Sequence, residues 1–213
     1  MTDDATRHNQ AAYDRIASLY AERQAGLGRS FADLTAAFID RLPPSADVAD
    51  LGCGPAVDGA LLAQAGHRVV GLDRSAGMLT HAARALPGRV AQADLRSLPV
   101  ASGSLDGIWC CAALLHVPQD ETMTVLREMR RVLRQDGHVA LITALGQGAR
   151  LEPVPYAPHT KRWFFYRDPA ELDDQLRRAE FQVLARAEEP SSRHWVKILA
   201  GPSRRPGALA AMM

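Results

Sequence analysis

No stretch of this chain constrains its fold more than Val48-Ala49-Asp50-Leu51-Gly52-Cys53-Gly54-Pro55-Ala56. A short apolar run broken by one carboxylate reads as a buried strand. The two glycines turn the chain sharply, and the apolar spacing of Ala60, Leu61 and Ala65 continues as a helix. Strand, glycine turn and helix open a crossover unit, and parallel strands require crossovers. The same texture recurs at 68–72, 89–93, 105–110 and 137–144, with 46–51 as the first strand. Helical stripes lie between them: Met78, Leu79, Ala82 and Leu86, then Met123, Leu126, Met129, Arg130 and Leu133. The pattern predicts an α/β fold built on a parallel sheet.

Two helices precede the sheet. Tyr13, Ile16, Ala17 and Tyr20 are helically spaced within 8–24, with the flexible Gly26-Leu27-Gly28 after them; Ser30 is placed to cap a second helix over 30–42, whose stripe is Phe31, Leu34, Ala37, Phe38 and Leu42. After 145 the texture changes. Gly146, Gly148, Pro153, Pro155 and Pro158 predict a long loop, Asp168-Pro169 starts a helix to about 179, and 181–187 with 194–200 reads as a closing strand pair. At 213 residues, 47% of them hydrophobic, one core burying roughly 70% of the unfolded surface is within reach, so a single domain is expected.

Charge narrows the chemistry. The 25 basic residues almost cancel the 24 acidic ones, which gives no dense basic face for nucleic acid or an anionic membrane. Of the cations 23 are Arg, with only Lys161 and Lys197 as lysines, and no Gly-Lys-Ser/Thr exists, so a phosphate loop of that kind is excluded. Cys53, Cys110 and Cys111 lack zinc spacing and read as reduced thiols, His67, His159 and His194 have no convergent partners, and no metal site is expected. The amino terminus shows no apolar leader, and the expected compartment is the cytoplasm.

The glycine loop itself discriminates between ligands. A dinucleotide fingerprint wants glycine where Val57 stands. Asp50 at the loop mouth repels a pyrophosphate and welcomes an ammonium group, while the first turn of the following helix suits an anion. Asp73 closes the second strand, where a carboxylate accepts from both ribose hydroxyls. Together they describe a nucleoside without phosphate that carries an amine and a carboxylate.

On these residues the chain resembles the class I S-adenosylmethionine-dependent methyltransferases, particularly the type 11 or UbiE-like small-molecule group. The resemblance implies a Rossmann-like seven-stranded sheet with helices on both faces and the last strand antiparallel. It assigns Asp50, Gly52, Cys53 and Gly54 to the methionine part of S-adenosyl-L-methionine, Asp73 to the ribose, and Asp94 with the Leu95 backbone to adenine. Leu105 to Cys110 matches the fourth strand, Leu126 to Gly137 the helix and turn before the fifth, and Asp168 to Leu172 with Phe181 the late helix and strand. Ala56 departs from the motif, which usually has a third glycine there.

Residues 1–42 are then a helical cap, 145–168 a lid loop and 203–213 a flexible tail. Tyr13 and Tyr20 sit on a helix that closes over the cofactor in the resembling enzymes, Arg74 and Met78 flank ribose and adenine, and Cys111 lies near the methionine end. His116, just past the fourth strand, is the candidate catalytic base, with simple positioning as its other reading. The segment Lys161 to Arg167 is read as a substrate wall or as packing. The activity implied is methyl transfer to an oxygen, nitrogen or carbon of a small molecule, by a monomer or homodimer without nucleic-acid or membrane partners. A non-catalytic S-adenosylmethionine-binding regulatory or partner protein is the alternative that Ala56 keeps open.

Overall fold

The apolar run at Val48 forms the middle of a sheet because both of its faces are covered: Val48, Ala49 and Leu51 are fully buried. The computed structural model describes residues 2–25, 31–191 and 193–203. Helices α1 (Thr2–Ala25) and α2 (Ala32–Ile39) lead into β1 (Asp47–Leu51), α3 (Val57–Gln64), β2 (Arg68–Asp73), α4 (Ala76–Ala85), β3 (Val90–Gln92), β4 (Leu105–Cys111), α5 (Thr122–Val132) and β5 (Leu133–Ala144). A hairpin of β6 (Ala149–Val154) and β7 (Ala157–Phe165) follows, then α6 (Pro169–Arg178), β8 (Phe181–Glu189) and β9 (Trp195–Pro202). The sheet order is β3-β2-β1-β4-β5-β9-β8, parallel from β3 to β5, with β9 antiparallel to both of its neighbours. This is the expected seven-stranded architecture, with the last strand reversed.

Side-chain alternation divides the core. From β4, Ile108 points into the layer with Leu126, Met129 and Phe181, while Trp109 points into the opposite layer with Phe38 and Leu62. Asp168 caps α6 as its sequence suggests, accepting from the backbone of Ala170 and Glu171. The Gly26-Leu27-Gly28 turn, the Ser30 cap and residues 204–213 of the tail lie outside the described residues.

The segment expected to be a lid loop is instead the β6–β7 hairpin, a two-stranded sheet of its own. Its prolines mislead because they stand where no ladder donor is needed. Pro153 sits beside a bulge, Pro155 in the turn and Pro158 near the start of an edge strand. Helix α5 also stops earlier than its stripe suggests, and β5 takes over directly at Leu133.

Helix α1 lies across α4 and β7. At α4 the helices touch through glycine: a Cβ on Gly77 would stand 3.0 Å from the Asp14 carbonyl oxygen and 3.1 Å from the Ala17 Cβ. That closeness brings the Asp14 carboxylate onto the start of α4, where it accepts from Ser75 Oγ at 2.6 Å and from the Gly77 N–H at 2.9 Å. At β7 the Asn9 amide makes a two-way bond with the backbone of one residue, accepting from Trp163 N at 2.7 Å and donating to Trp163 O at 3.0 Å. The cap is therefore fastened at two points by polar groups, the buried Asn9 and the exposed Asp14.

Gly77→Val pushes α1 off α4 and is expected to cost about 1–3 kcal/mol of stability despite valine's better helix propensity. Urea denaturation reads the difference.

Candidate active site

The carboxyl ends of β1, β2 and β4 open into a cavity of about 860 Å³, part of it open to solvent, and α1 forms its roof. This is the edge where ligands lie in open α/β sheets. The floor is the β1–α3 loop. Gly52 and Gly54 both have positive φ, and a Cβ on Gly52 would stand 2.3 Å from that of Ala113, so only glycine fits there. The Gly54 N–H donates to Asp73 Oδ2 at 2.8 Å and the Ser75 N–H to Asp73 Oδ1 at 2.8 Å. One carboxylate thus joins the loop after β1 to the loop after β2, with its remaining lone pairs along the cavity wall. Burial raises the Asp73 pKa, against the pull of those backbone donors.

Ten of the twelve residues assigned to the site from sequence meet in this wall: His116, Tyr20, Gly52, Gly54, Asp73, Arg74, Met78, Asp94, Leu95 and Cys111. Asp50 and Cys53 do not. Asp50 lies beneath the loop, and its Oδ2 accepts from the Gly59 N–H at 3.0 Å. It thereby caps α3 from the strand, since Ala56 at the N-cap position offers no side-chain bond. Burial, reinforced by Asp58, pushes the Asp50 pKa well above the carboxylate range. The Cys53 thiol is buried toward Gly71 and is likewise pushed up by burial. Both residues support the loop from behind. The Ala56 methyl is also fully buried, outside the wall, with the backbone left-handed at φ 59°.

Asp94 is in the wall, but its oxygens are taken. Arg74 Nη1 donates to Oδ2, and Arg96 reaches both oxygens through Nη2 at 2.7 Å, Nε at 3.0 Å and its backbone N–H at 2.9 Å. Burial works against this carboxylate, yet the guanidiniums outweigh it and hold its pKa below the ordinary value. Arg74 also donates from Nε to Gln10 Oε1 at 3.0 Å, tying α1 to the Asp94 end of the cavity.

His116 closes a short 3-10 turn, Leu114–His116, after β4. Its Nδ1 donates to the Trp163 carbonyl at 2.8 Å, and its Nε2 accepts from the Tyr13 hydroxyl at 2.6 Å. Phe164 packs on the ring at 4.9 Å. Burial holds the imidazole at about 3, the Trp163 carbonyl working the other way, so the ring is neutral at physiological pH. Arg167 supports the turn from behind, its buried guanidinium donating to the Leu114 and Val117 carbonyls at 2.7 Å each. Asn9, Asp14, Ser75, Gly59 and Arg167 carry no motif. Their roles rest on partners far away in sequence, and only an unusual glycine or a polar residue in an apolar stripe could have signalled them.

Residues 48–137 match the methyltransferase domain family. The chain is 34% identical over 196 residues to the malonyl-[acyl-carrier protein] O-methyltransferase of Laribacter hongkongensis (strain HLHK9), covering 81% of this chain and 63% of that protein. It is 42% identical over 103 residues to the trans-aconitate 2-methyltransferase of Azoarcus sp. (strain BH72), covering 47% and 40%. The chain spans about half the length of the curated relatives it matches. Among solved structures, the Burkholderia thailandensis 1,6-didemethyltoxoflavin-N1-methyltransferase with bound 1,6-didemethyltoxoflavin and S-adenosylhomocysteine shares the fold, with a TM-score of 0.73, 22% identity and coverage of 96% of this chain and 91% of that one. The [4+2]-cyclase SpnF shares it too, with a TM-score of 0.71, 18% identity and coverage of 94% and 97%.

The depressed basicity of His116 sets the sign of a stability effect. Below pH 6.5 the unfolded imidazole takes up a proton that the folded ring refuses until about pH 3, so acidification through that window favours unfolding. Between pH 7 and pH 5 the wild type should lose about 2 kcal/mol relative to His116→Gln. Denaturation of both proteins at the two pH values gives the difference, and no change in it removes the assignment of a neutral buried ring.

Proposed function

We propose that this chain is a class I S-adenosylmethionine-dependent methyltransferase, a reading its match over residues 48–137 supports, and that it transfers a methyl group from S-adenosylmethionine to an oxygen, nitrogen or carbon atom of a small molecule. Asp73 carries the reading: a carboxylate at the end of β2, bonded on one side to the glycine loop and still open to the cavity, matches a pair of ribose hydroxyls. Gly52 and Gly54 admit the methionine part against bare backbone, with Tyr20 beside Gly54. Met78 and Leu95 are the apolar groups beside adenine. Adenine's amine reaches Asp94 by replacing the Arg74 contact, because Arg96 alone then accounts for the other bonds.

When bound, the cofactor supplies a methyl carbon made electrophilic by a sulfonium. The protein contributes alignment and the exclusion of water. In-line displacement needs nucleophile, carbon and sulfur in a row, and a rigid pocket supplies that without a metal or a covalent intermediate. Helix α1 over the cavity keeps water out and holds Tyr13 and His116 on the acceptor side. The named relatives act on different acceptors, malonyl-[acyl-carrier protein], trans-aconitate and 1,6-didemethyltoxoflavin, so the acceptor follows from this chain's own wall. A formal charge of +1 supports a small molecule over nucleic acid, and three free thiols support a cytoplasmic setting. No helix among the described residues is long and apolar enough to cross a membrane. The non-catalytic alternative rests on Ala56, whose methyl is buried outside the cavity wall.

Calorimetry tests the cofactor assignment. S-adenosylmethionine and S-adenosylhomocysteine are both expected to bind, and Asp73→Ala to weaken them at least tenfold, which is about 1.4 kcal/mol. Unchanged affinity in the variant refutes the ribose assignment, and no binding of either compound refutes the function.

A further inference from the structure

We infer that the acceptor meets the enzyme at the Tyr13 phenol oxygen, and that the hydrogen-bond polarity of that oxygen selects a nucleophile carrying its own proton, a hydroxyl or an N–H, over a carboxylate. The inference rests on the methyltransferase reading and adds the acceptor class to it.

The polarity is set from the far end of the chain of bonds. A carbonyl oxygen only accepts, so His116 Nδ1, 2.8 Å from Trp163 O, carries the hydrogen. The Asn9 amide donates to the same carbonyl. Its Oδ1 accepts from Trp163 N at 2.7 Å, so its Nδ2 faces the same carbonyl at 3.0 Å, and the 3.4 Å approach of Nδ2 to His116 Nδ1 is between two donors. A neutral imidazole with hydrogen on Nδ1 has its one lone pair on Nε2, and Tyr13 stands 2.6 Å from it. The phenol therefore spends its single proton on the histidine. Arg162 Nη1 donates to the same oxygen at 3.0 Å.

The cavity thus meets an oxygen with a lone pair to offer and no proton to give. A hydroxyl or amine donating there is held by its own hydrogen, with its nucleophilic lone pair left to face the methyl carbon. A carboxylate brings no hydrogen and meets oxygen with oxygen.

Arg162 is the group that would favour an anion, and its placement argues against that use. Its guanidinium lies over the rings of Tyr13 and Phe164 at 5.2 Å, its Nε is buried without a partner, and it is not part of the cavity wall. The charged and titratable groups acting on His116 are Arg162 and Arg193, with Glu152 opposing them, and Tyr13 itself is held protonated by burial.

Two measurements test the inference. Long-range 1H–15N NMR of the histidine rings, on wild type and on His116→Gln to assign the signal, should show a neutral ring protonated at Nδ1 from pH 8 to pH 5. A ring protonated at Nε2 overturns the polarity, and this readout needs neither cofactor nor turnover. Ligand-detected NMR then compares phenol, aniline and benzoate on protein saturated with S-adenosylhomocysteine. Phenol and aniline should bind, benzoate should not, and Tyr13→Phe should weaken the first two by about three- to tenfold, the worth of one neutral hydrogen bond. His116→Gln should keep most of that binding, since glutamine offers a donor to Trp163 O and an acceptor to Tyr13, whereas His116→Phe should not. Benzoate binding that depends on Arg162, or phenol binding indifferent to Tyr13→Phe, overturns the proposal. If S-adenosylhomocysteine itself does not bind, the methyltransferase reading falls and the acceptor class with it.

Discussion

The strand order reverses between β1 and β4, and everything at the site follows from that reversal. Chains leaving the two strands diverge to opposite faces of the sheet, which opens a cleft above their carboxyl ends. To keep the cleft narrow the two exit loops must nearly touch, and they do so at Gly52 and Ala113, where a single added methyl has no room. The backbone bends for it on both sides. Ala56 beyond β1 and Ala112 beyond β4 adopt left-handed φ values of 59° and 52° without being glycine, a conformation held only where the surroundings insist on it. Of the five non-glycine residues with positive φ among the described residues, these two lie where the loops meet.

The polar groups around the cleft are mostly engaged with one another. Asp73 binds two loops, Asp94 binds two arginines, Asp50 caps a helix and Asp14 caps another. Such mutual satisfaction fixes each side chain before any ligand arrives, so little reorganisation is left for binding. On the proposed reading, the residual lone pairs of Asp73 face a ribose and that of Tyr13 an acceptor. On the same reading, the contact of Arg74 with Asp94 is the one a purine exchanges for its own amine.

The fold was legible because its information is local. Apolar runs of five or six residues bounded by glycine, and stripes at helical spacing between them, locate β1 to β5 and α3 to α5 within a few residues. Where the order depends on distant partners the reading failed. Glycine and proline between 145 and 168 signal irregularity, yet each strand of the hairpin is completed by the other, with Leu151 beside Trp163 and Glu152 beside Arg162. Asp50 was misplaced for a related reason. Position in a strand fixes which face a side chain takes, but the sequence does not say which face carries the ligand, and Asp50 faces α3. His116 was found by its place after β4, while the bond that occupies its free nitrogen comes from Tyr13, 103 residues earlier.

Arg167 shows why the turn bearing His116 can be rigid without regular structure. Around this 3-10 turn the carbonyls of Leu114, which also accepts from the Val117 N–H at 3.0 Å, and of Val117 are buried. One guanidinium serves both, while its Nε and Nη1 have no partner and burial lowers its pKa to about 10. Burying a cation so incompletely paired is unfavourable, and a smaller polar residue serves a single carbonyl at less expense of desolvation. What the arginine adds is simultaneous reach: the two hydrogens of its Nη2 serve the first residue of the turn and the residue just after it, and fix them relative to each other. With that span fixed, the imidazole between them has one orientation, and the carbonyl of Trp163 on the hairpin can dictate which of its nitrogens faces Tyr13. The direction of the hydrogen bond at the cleft thus depends on a buried charge on its far side.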